Sequence, residues 1–314
     1  LLAASADAGD RGSRERTREF IRDVTRARLF DLSFTWDEKS PIAGVNPPYK
    51  MSLAATHENT RGDFGDGGQL SFTSEVMEWS GQHGAPSIDA LGHIGHNGLL
   101  FGGVDAAAAT SDSLGIGRRG VGAHLGIDHY RTDKLVNRGV LLDVARCVRG
   151  DDSPLDPGFE ITARHLADTA RAQRVKLERG DTVLIRTGWG RYFTENAALY
   201  MGEASPGPSV DGARFLAARR PFAVGSDTLT FEMRPPLAFP PVVPVFQVFP
   251  VHMLLIADNG IHIIENYFLD ELAAAEVFEF LLVVPPIKVR GGTGSALRSF
   301  ALVPHERDRD GNRD

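Results

Sequence analysis

With a single cysteine among its 314 residues, Cys147, the chain can form no intrachain disulfide and no cysteine-built zinc or iron–sulfur centre. It lacks a surplus of positive charge: 34 Lys and Arg stand against 41 Asp and Glu, a formal net charge of −7. A nucleic-acid binder wants a basic surface, so that class is excluded. No apolar run reaches the ~18 residues of a membrane span, which excludes a membrane protein of the helical kind. No basic flank precedes the short apolar start at Leu1–Ala4, so it makes a poor secretory signal, and the expected location is cytoplasmic. Repeats, low-complexity blocks and linker-like composition shifts are also missing. What remains is ordinary globular composition, 42% hydrophobic and 24% charged, at a length that buries a sizeable core without staples. The expectation is a soluble enzyme acting on a small molecule, built as one domain over 1–314.

Along the chain, the charged stretch Ser13–Arg28 places Phe20, Ile21, Val24 and Ala27 at helical spacing. It reads as an N-terminal helical extension (1–27) running into a strand at Leu29–Ser33. Residues 35–68 are irregular, rich in Pro and Gly, and read as a functional loop. Short strand-like runs follow at Leu70–Thr73 and Val76–Trp79. The middle alternates buried strands (Gly139–Val144, Gly180–Arg186, Pro221–Val224) with a helix at Thr162–Gln173, a pattern that argues for an α/β fold. The proline-rich segment Pro235–Pro250 is expected to be extended. A helix at His252–Ala257, a strand at Ile261–Ile264, a helix from Leu269 and a strand at Phe280–Val284 complete the order. The tail at 304–314 is expected to fray.

Two glycine-rich runs carry little chemistry. Gly115-Ile116-Gly117-Arg118-Arg119-Gly120 matches a dinucleotide fingerprint by pattern, but no strand precedes it to aim backbone N–H groups at a pyrophosphate. The run Gly291–Ser295 lacks the lysine of a P-loop and reads as a turn. Cys147 reads as the end of a buried strand with no activating neighbour, so it is expected in the core.

The informative cluster is His83-Gly84-Ala85-Pro86-Ser87-Ile88-Asp89-Ala90-Leu91-Gly92-His93, with His96 just beyond. Neutral imidazoles and a carboxylate are natural ligands of zinc and manganese, and the small residues between them let the backbone turn tightly. A hydrogen-bonded His/Asp pair in a loop would look the same. A second constellation runs from His252, opening an apolar helix, to Glu265, ending an apolar strand. A carboxylate buried there needs a partner, and a metal shared with Asp89 would provide one. A Glu exposed at the strand end is the alternative, and spacing alone does not choose between them.

Together the two constellations resemble the cyclase family of metal-dependent hydrolases, which includes arylformamidase (kynurenine formamidase) and isatin hydrolase. With Asp89 setting the register of the signature HxGTHxDxPxH, His83 matches its first histidine and His93 its last. The resemblance continues through Arg138–Arg146, Gly180–Trp189, Gly225–Thr228, Gly260–Asn266, Leu269–Leu272 and Pro285–Gly294, covering roughly residues 28–303. It departs at Ala85-Pro86-Ser87, where the family has Gly-Thr-His, and at Leu91, where the family has proline. One imidazole is therefore missing at Ser87, and His96 is a geometric candidate to replace it.

The resemblance implies a swivelling β/β/α fold and a homodimer or higher homo-oligomer. It also implies a divalent ion, Zn2+ or Mn2+, held by His83, Asp89, His252 and Glu265. The implied reaction is hydrolysis of an amide, a cyclic amide such as an imide or isatin, or an ester or lactone, on a carbon–nitrogen bond other than a peptide bond by preference. His93 is the candidate general acid/base, since an imidazole suits proton transfer near neutral pH. Phe34, Trp36 and Phe72, with Phe64, are candidates for an apolar substrate wall. A lyase or dehydratase using the same metal, or a non-catalytic homologue whose metal site Ser87 has weakened, are the alternative readings.

Overall fold

The computed structural model describes residues 15, 18–43, 46, 49–82, 84–111, 125–237 and 248–304. The fingerprint at 115–120, His83 and most of the tail lie outside the described residues, as does 238–247 of the proline-rich segment. Eleven strands are used below: β1 (Arg28–Asp31), β2 (Lys50–Ala55), β3 (Ser74–Glu78), β4 (Ser87–Asp89), β5 (Val136–Asp143), β6 (Thr182–Arg186), β7 (Ala223–Ser226), β8 (His262–Glu265), β9 (Glu279–Val283), β10 (Gly294–Ala296) and β11 (Phe300–Val303).

Nine of them form one sheet in the order β1-β11-β9-β5-β6-β7-β8-β4-β10. The central strands β5 to β8 run parallel, and both flanks are antiparallel. The α/β expectation holds. The apolar runs of β5 and β6 are buried throughout their cores because both faces are covered. Val140, Leu142, Val183, Ile185 and Ile263 meet the helices Ala163–Ala172, Val210–Ala217 and Pro250–His252 on one face. On the other, Leu141, Leu184 and Ile264 share a cluster with Phe30 of β1, Leu282 of β9 and Ala301 of β11. Nine flat strands at ~4.8 Å would span about 38 Å. The sheet curls instead: just after β1, Phe34 N donates to Ala85 O, just before β4 on the other flank, at 2.7 Å.

Local chemistry sets the ends of these elements. Thr162 caps the helix Ala163–Ala172 through a reciprocal hydrogen-bond pair with His165. After His252 the helix continues as a π-helical stretch, Met253–Asp258.

Three expectations are corrected. The 35–68 stretch is not wholly irregular: β2 lies within it and pairs with β3 as a separate hairpin. Both strands are largely exposed, with Met51, Leu53, Val76 and Met77 about half uncovered. Alternation in β2 is weak, since no face of it is buried, and this is why it could not be read. The strand-like run at Leu70–Thr73 forms no strand; its backbone is instead tied to the loop before it, with Thr60 bonding Phe72 in both directions. Cys147 is exposed on the helix Val144–Arg149 rather than in the core, because the chain leaves β5 at Asp143 and turns outward. No helix among the described residues is long and apolar enough to cross a membrane.

Candidate metal centre

Strand pairing builds the site. β4 and β8 are antiparallel, with Asp89 opposite Ile263 and Ser87 opposite Glu265. Directly opposed residues share a face and stand about 5 Å apart, so Ser87, Asp89 and Glu265 all present side chains to one side of the sheet. His252 reaches that side from the helix Pro250–His252. The donor atoms of Asp89, His252 and Glu265 lie within 4.8 Å of one another. His252 Nε2 is 3.2 Å from Glu265 Oε1 and 3.9 Å from Asp89 Oδ2.

The electrostatics of this group are those of a cation site. Burial pushes Glu265 up to about 7 against the pull of the His252 hydrogen bond, and the Asp89 charge pushes the same way. Burial opposes a charge on His252, yet its hydrogen bonds to Glu232 and Glu265 overcome that and raise it to about 10. Two carboxylates crowded around one imidazole in a buried pocket lower their mutual repulsion by taking up a positive charge. A proton on His252 is one such charge. A divalent ion facing two carboxylate oxygens and one imidazole nitrogen is another, and this donor set suits one.

Sequence reasoning therefore selected three residues that do come together: Asp89, His252 and Glu265. Glu265 is not the exposed strand-end residue of the alternative reading; its side chain is 14% exposed. His93 stands at the rim, about one-third exposed, with Nε2 3.8 Å from Asp89 Oδ1. The Gln82 amide donates to His93 Nδ1 at 3.2 Å and to Thr293 Oγ1 at 3.1 Å. Held this way, the neutral ring carries its proton on Nε2, towards Asp89. His96 is not brought to the group. It pairs with Asp258 at 2.8 Å on the surface and does not replace the imidazole missing at Ser87.

The aromatic candidates divide. Phe34 stacks on Phe193 at 4.3 Å, and its amide donates to Ala85 O in the His/Asp segment. Trp36 packs beside it in the same cluster and against Tyr49. Phe72 contacts Phe64 at 5.7 Å near the hairpin and belongs to neither cluster.

Two features escaped the sequence. Glu232, 1% exposed, bonds to His252 Nδ1 at 2.5 Å. Asn266 adopts a φ of 61°, and its amide joins Tyr200 Oη (2.7 Å) to Gly84 O (3.1 Å), tying the segment after His83 to the end of β8. An Asn tolerates that backbone region better than most residues. Below the site, burial lifts Asp227 to about 6 although Thr187 donates to it twice. Arg186 bridges Asp143 (3.0 Å) and Asp270 (2.7 Å) in the same layer. This layer is spent on holding strand ends together.

The Cyclase family model matches residues 30–233. The chain belongs to the Cyclase family. The match includes Asp89 and Glu232, while His252 and Glu265 lie beyond it. Among characterised relatives, this Cyclase-family chain is 30% identical to an isatin hydrolase of Roseibium aggregatum over 195 residues, 56% of this chain and 68% of that protein. A solved structure described as a novel cyclase is 26% identical, covers 91% of this chain and 92% of its own, and superposes with a TM-score of 0.72. Isatin hydrolase A from Labrenzia aggregata, bound to benzyl benzoate, shares the fold at 20% identity and a TM-score of 0.66, over 92% and 99% of the two chains.

Proposed function

We propose that this Cyclase-family protein is a metal-dependent hydrolase that opens a carbon–nitrogen bond in an amide or cyclic amide of the isatin class, with esters and lactones as secondary substrates. The observation that carries the reading is the convergence of Asp89, His252 and Glu265; the isatin hydrolase relative supports the substrate class. Those three residues would hold Zn2+ or Mn2+, and the resemblance adds His83 as a fourth donor. When bound, a divalent ion supplies Lewis acidity towards a carbonyl oxygen and makes water acidic enough to react near neutral pH.

The chain's own residues do the rest. His93 is placed to give the proton on its Nε2, which faces the site, to the departing nitrogen and to regain one from solvent through its one-third-open ring, while the proton of the attacking water leaves to solvent. Phe34 and Trp36 would supply apolar surface for an aromatic ring. The reaction adds hydroxyl to the carbonyl carbon and hydrogen to the nitrogen, so the product is heavier by one water. A lyase would not consume that water.

The test is direct. Dialysis against a strong chelator is expected to abolish isatin opening, and Zn2+ or Mn2+ should restore it. Full turnover by verified metal-free protein would sink the proposal. Ser87 offers a second check. Because it stands across from Glu265, Ser87→His would place an imidazole beside the grouped donors. Elemental analysis is expected to show a higher metal-to-protein ratio than wild type. A lower ratio would mean that position 87 does not face the ion.

A further inference from the structure

We infer that Glu232 is the positioning residue of this centre: it fixes His252 with the hydrogen on Nδ1, so that the lone pair of Nε2 is turned to Asp89 and Glu265. The inference rests on the reading of the site as a divalent-metal centre. A carboxylate that is 1% exposed must be fully supplied with donors, because an unpaired buried charge is very costly. Glu232 has three. Val251 N donates to Oε2 at 3.2 Å, His252 N donates to Oε1 at 3.1 Å, and His252 Nδ1 lies 2.5 Å from Oε1. A carboxylate only accepts, so Nδ1 carries hydrogen. In the neutral ring Nε2 is then bare, which is the form a metal ligand requires.

Two observations separate this role from that of a simple helix cap. Capping the turn at Pro250 needs only the two backbone contacts, at Val251 and His252. The contact with the imidazole is additional, and it goes to the nitrogen opposite the one that faces Asp89 and Glu265. The backbone is also bent to deliver it. Phe231, fully buried, has a φ of 55°, a strained value for an aromatic residue, and this turn aims Glu232 back beneath the helix.

The experiment is calorimetric titration of the metal-free full chain with Zn2+ and with Mn2+, for wild type, Glu232→Gln and Glu232→Asp. Glu232→Gln keeps the size and one acceptor but removes the charge, and is expected to weaken metal binding by roughly 10–100-fold, the usual range for a carboxylate behind a ligating histidine. The metal-free variant is expected to melt lower, because Glu232 also helps hold the charge on His252, so affinities are compared below its melting temperature, and Glu232→Asp should recover part of the affinity. Nitrogen-15 spectra of histidine-labelled, Zn2+-loaded wild type should show His252 with hydrogen on Nδ1 and none on Nε2, a readout that needs no variant to fold. Equal affinities in wild type and Glu232→Gln, or hydrogen on Nε2 in the loaded protein, would overturn the role of Glu232 while leaving the metal reading intact. Uptake of neither ion by wild type would overturn both.

Discussion

Asp89→Asn is expected to lower kcat/KM for isatin opening by about three orders of magnitude, equivalent to removing the several kcal/mol a Lewis acid contributes at ~1.4 kcal/mol per tenfold. The substitution keeps shape and volume, so the core around Ile88 should not notice it. Asp89 is 3% exposed and shares its pocket with Glu265 and His252, and its charge matters chiefly to whatever cation they hold. In metal-free protein the same charge raises Glu265. Removing it therefore relieves repulsion, and the metal-free variant should melt no lower than metal-free wild type. The two should differ when metal is added: wild type gains stability by mass action and Asp89→Asn gains little. A variant that lost activity yet kept the full metal-induced rise in melting temperature would show that Asp89 is not a ligand.

His93→Ala is expected to reduce kcat by roughly 10²–10⁴-fold, the range for one acid/base group, with metal content near that of wild type. The geometry separates this residue from the ligands. His252 is enclosed by carboxylates, whereas His93 stands 3.8 Å from Asp89 at the open edge, steered by the Gln82 amide. It is therefore free to exchange protons with water and substrate. Loss of stoichiometric metal in His93→Ala would instead make it a ligand, filling the place vacated at Ser87.

How much of this was legible in the sequence depended on the range of the interactions. The strands around Val140–Leu142 and Val183–Ile185 announce themselves because a strand buried on both faces must be apolar throughout. Asp89 and Glu265 could be paired because Glu265 ends an apolar strand, a buried carboxylate there needs a partner, and a metal shared with the His/Asp cluster at Asp89 provides one. The hairpin strand β2 was hidden because neither face is buried, leaving no alternation to see. Cys147 was misplaced because β5 stops at Asp143, four residues before it, and the helix that follows leaves it exposed. Glu232 was invisible for a different reason. It lies 20 positions before His252, in no recognisable spacing, and reaches it only through the turn at Phe231. Local propensity does not encode such a contact; the tertiary fold creates it.

Anomalous diffraction from crystals of the full chain grown with Zn2+, with Mn2+ in a parallel set, tests the central claim most directly. The account predicts one strong peak at about 2.0–2.2 Å from a carboxylate oxygen of Asp89, a carboxylate oxygen of Glu265 and Nε2 of His252. A peak elsewhere, or no peak at these residues in protein that turns over isatin, would contradict it.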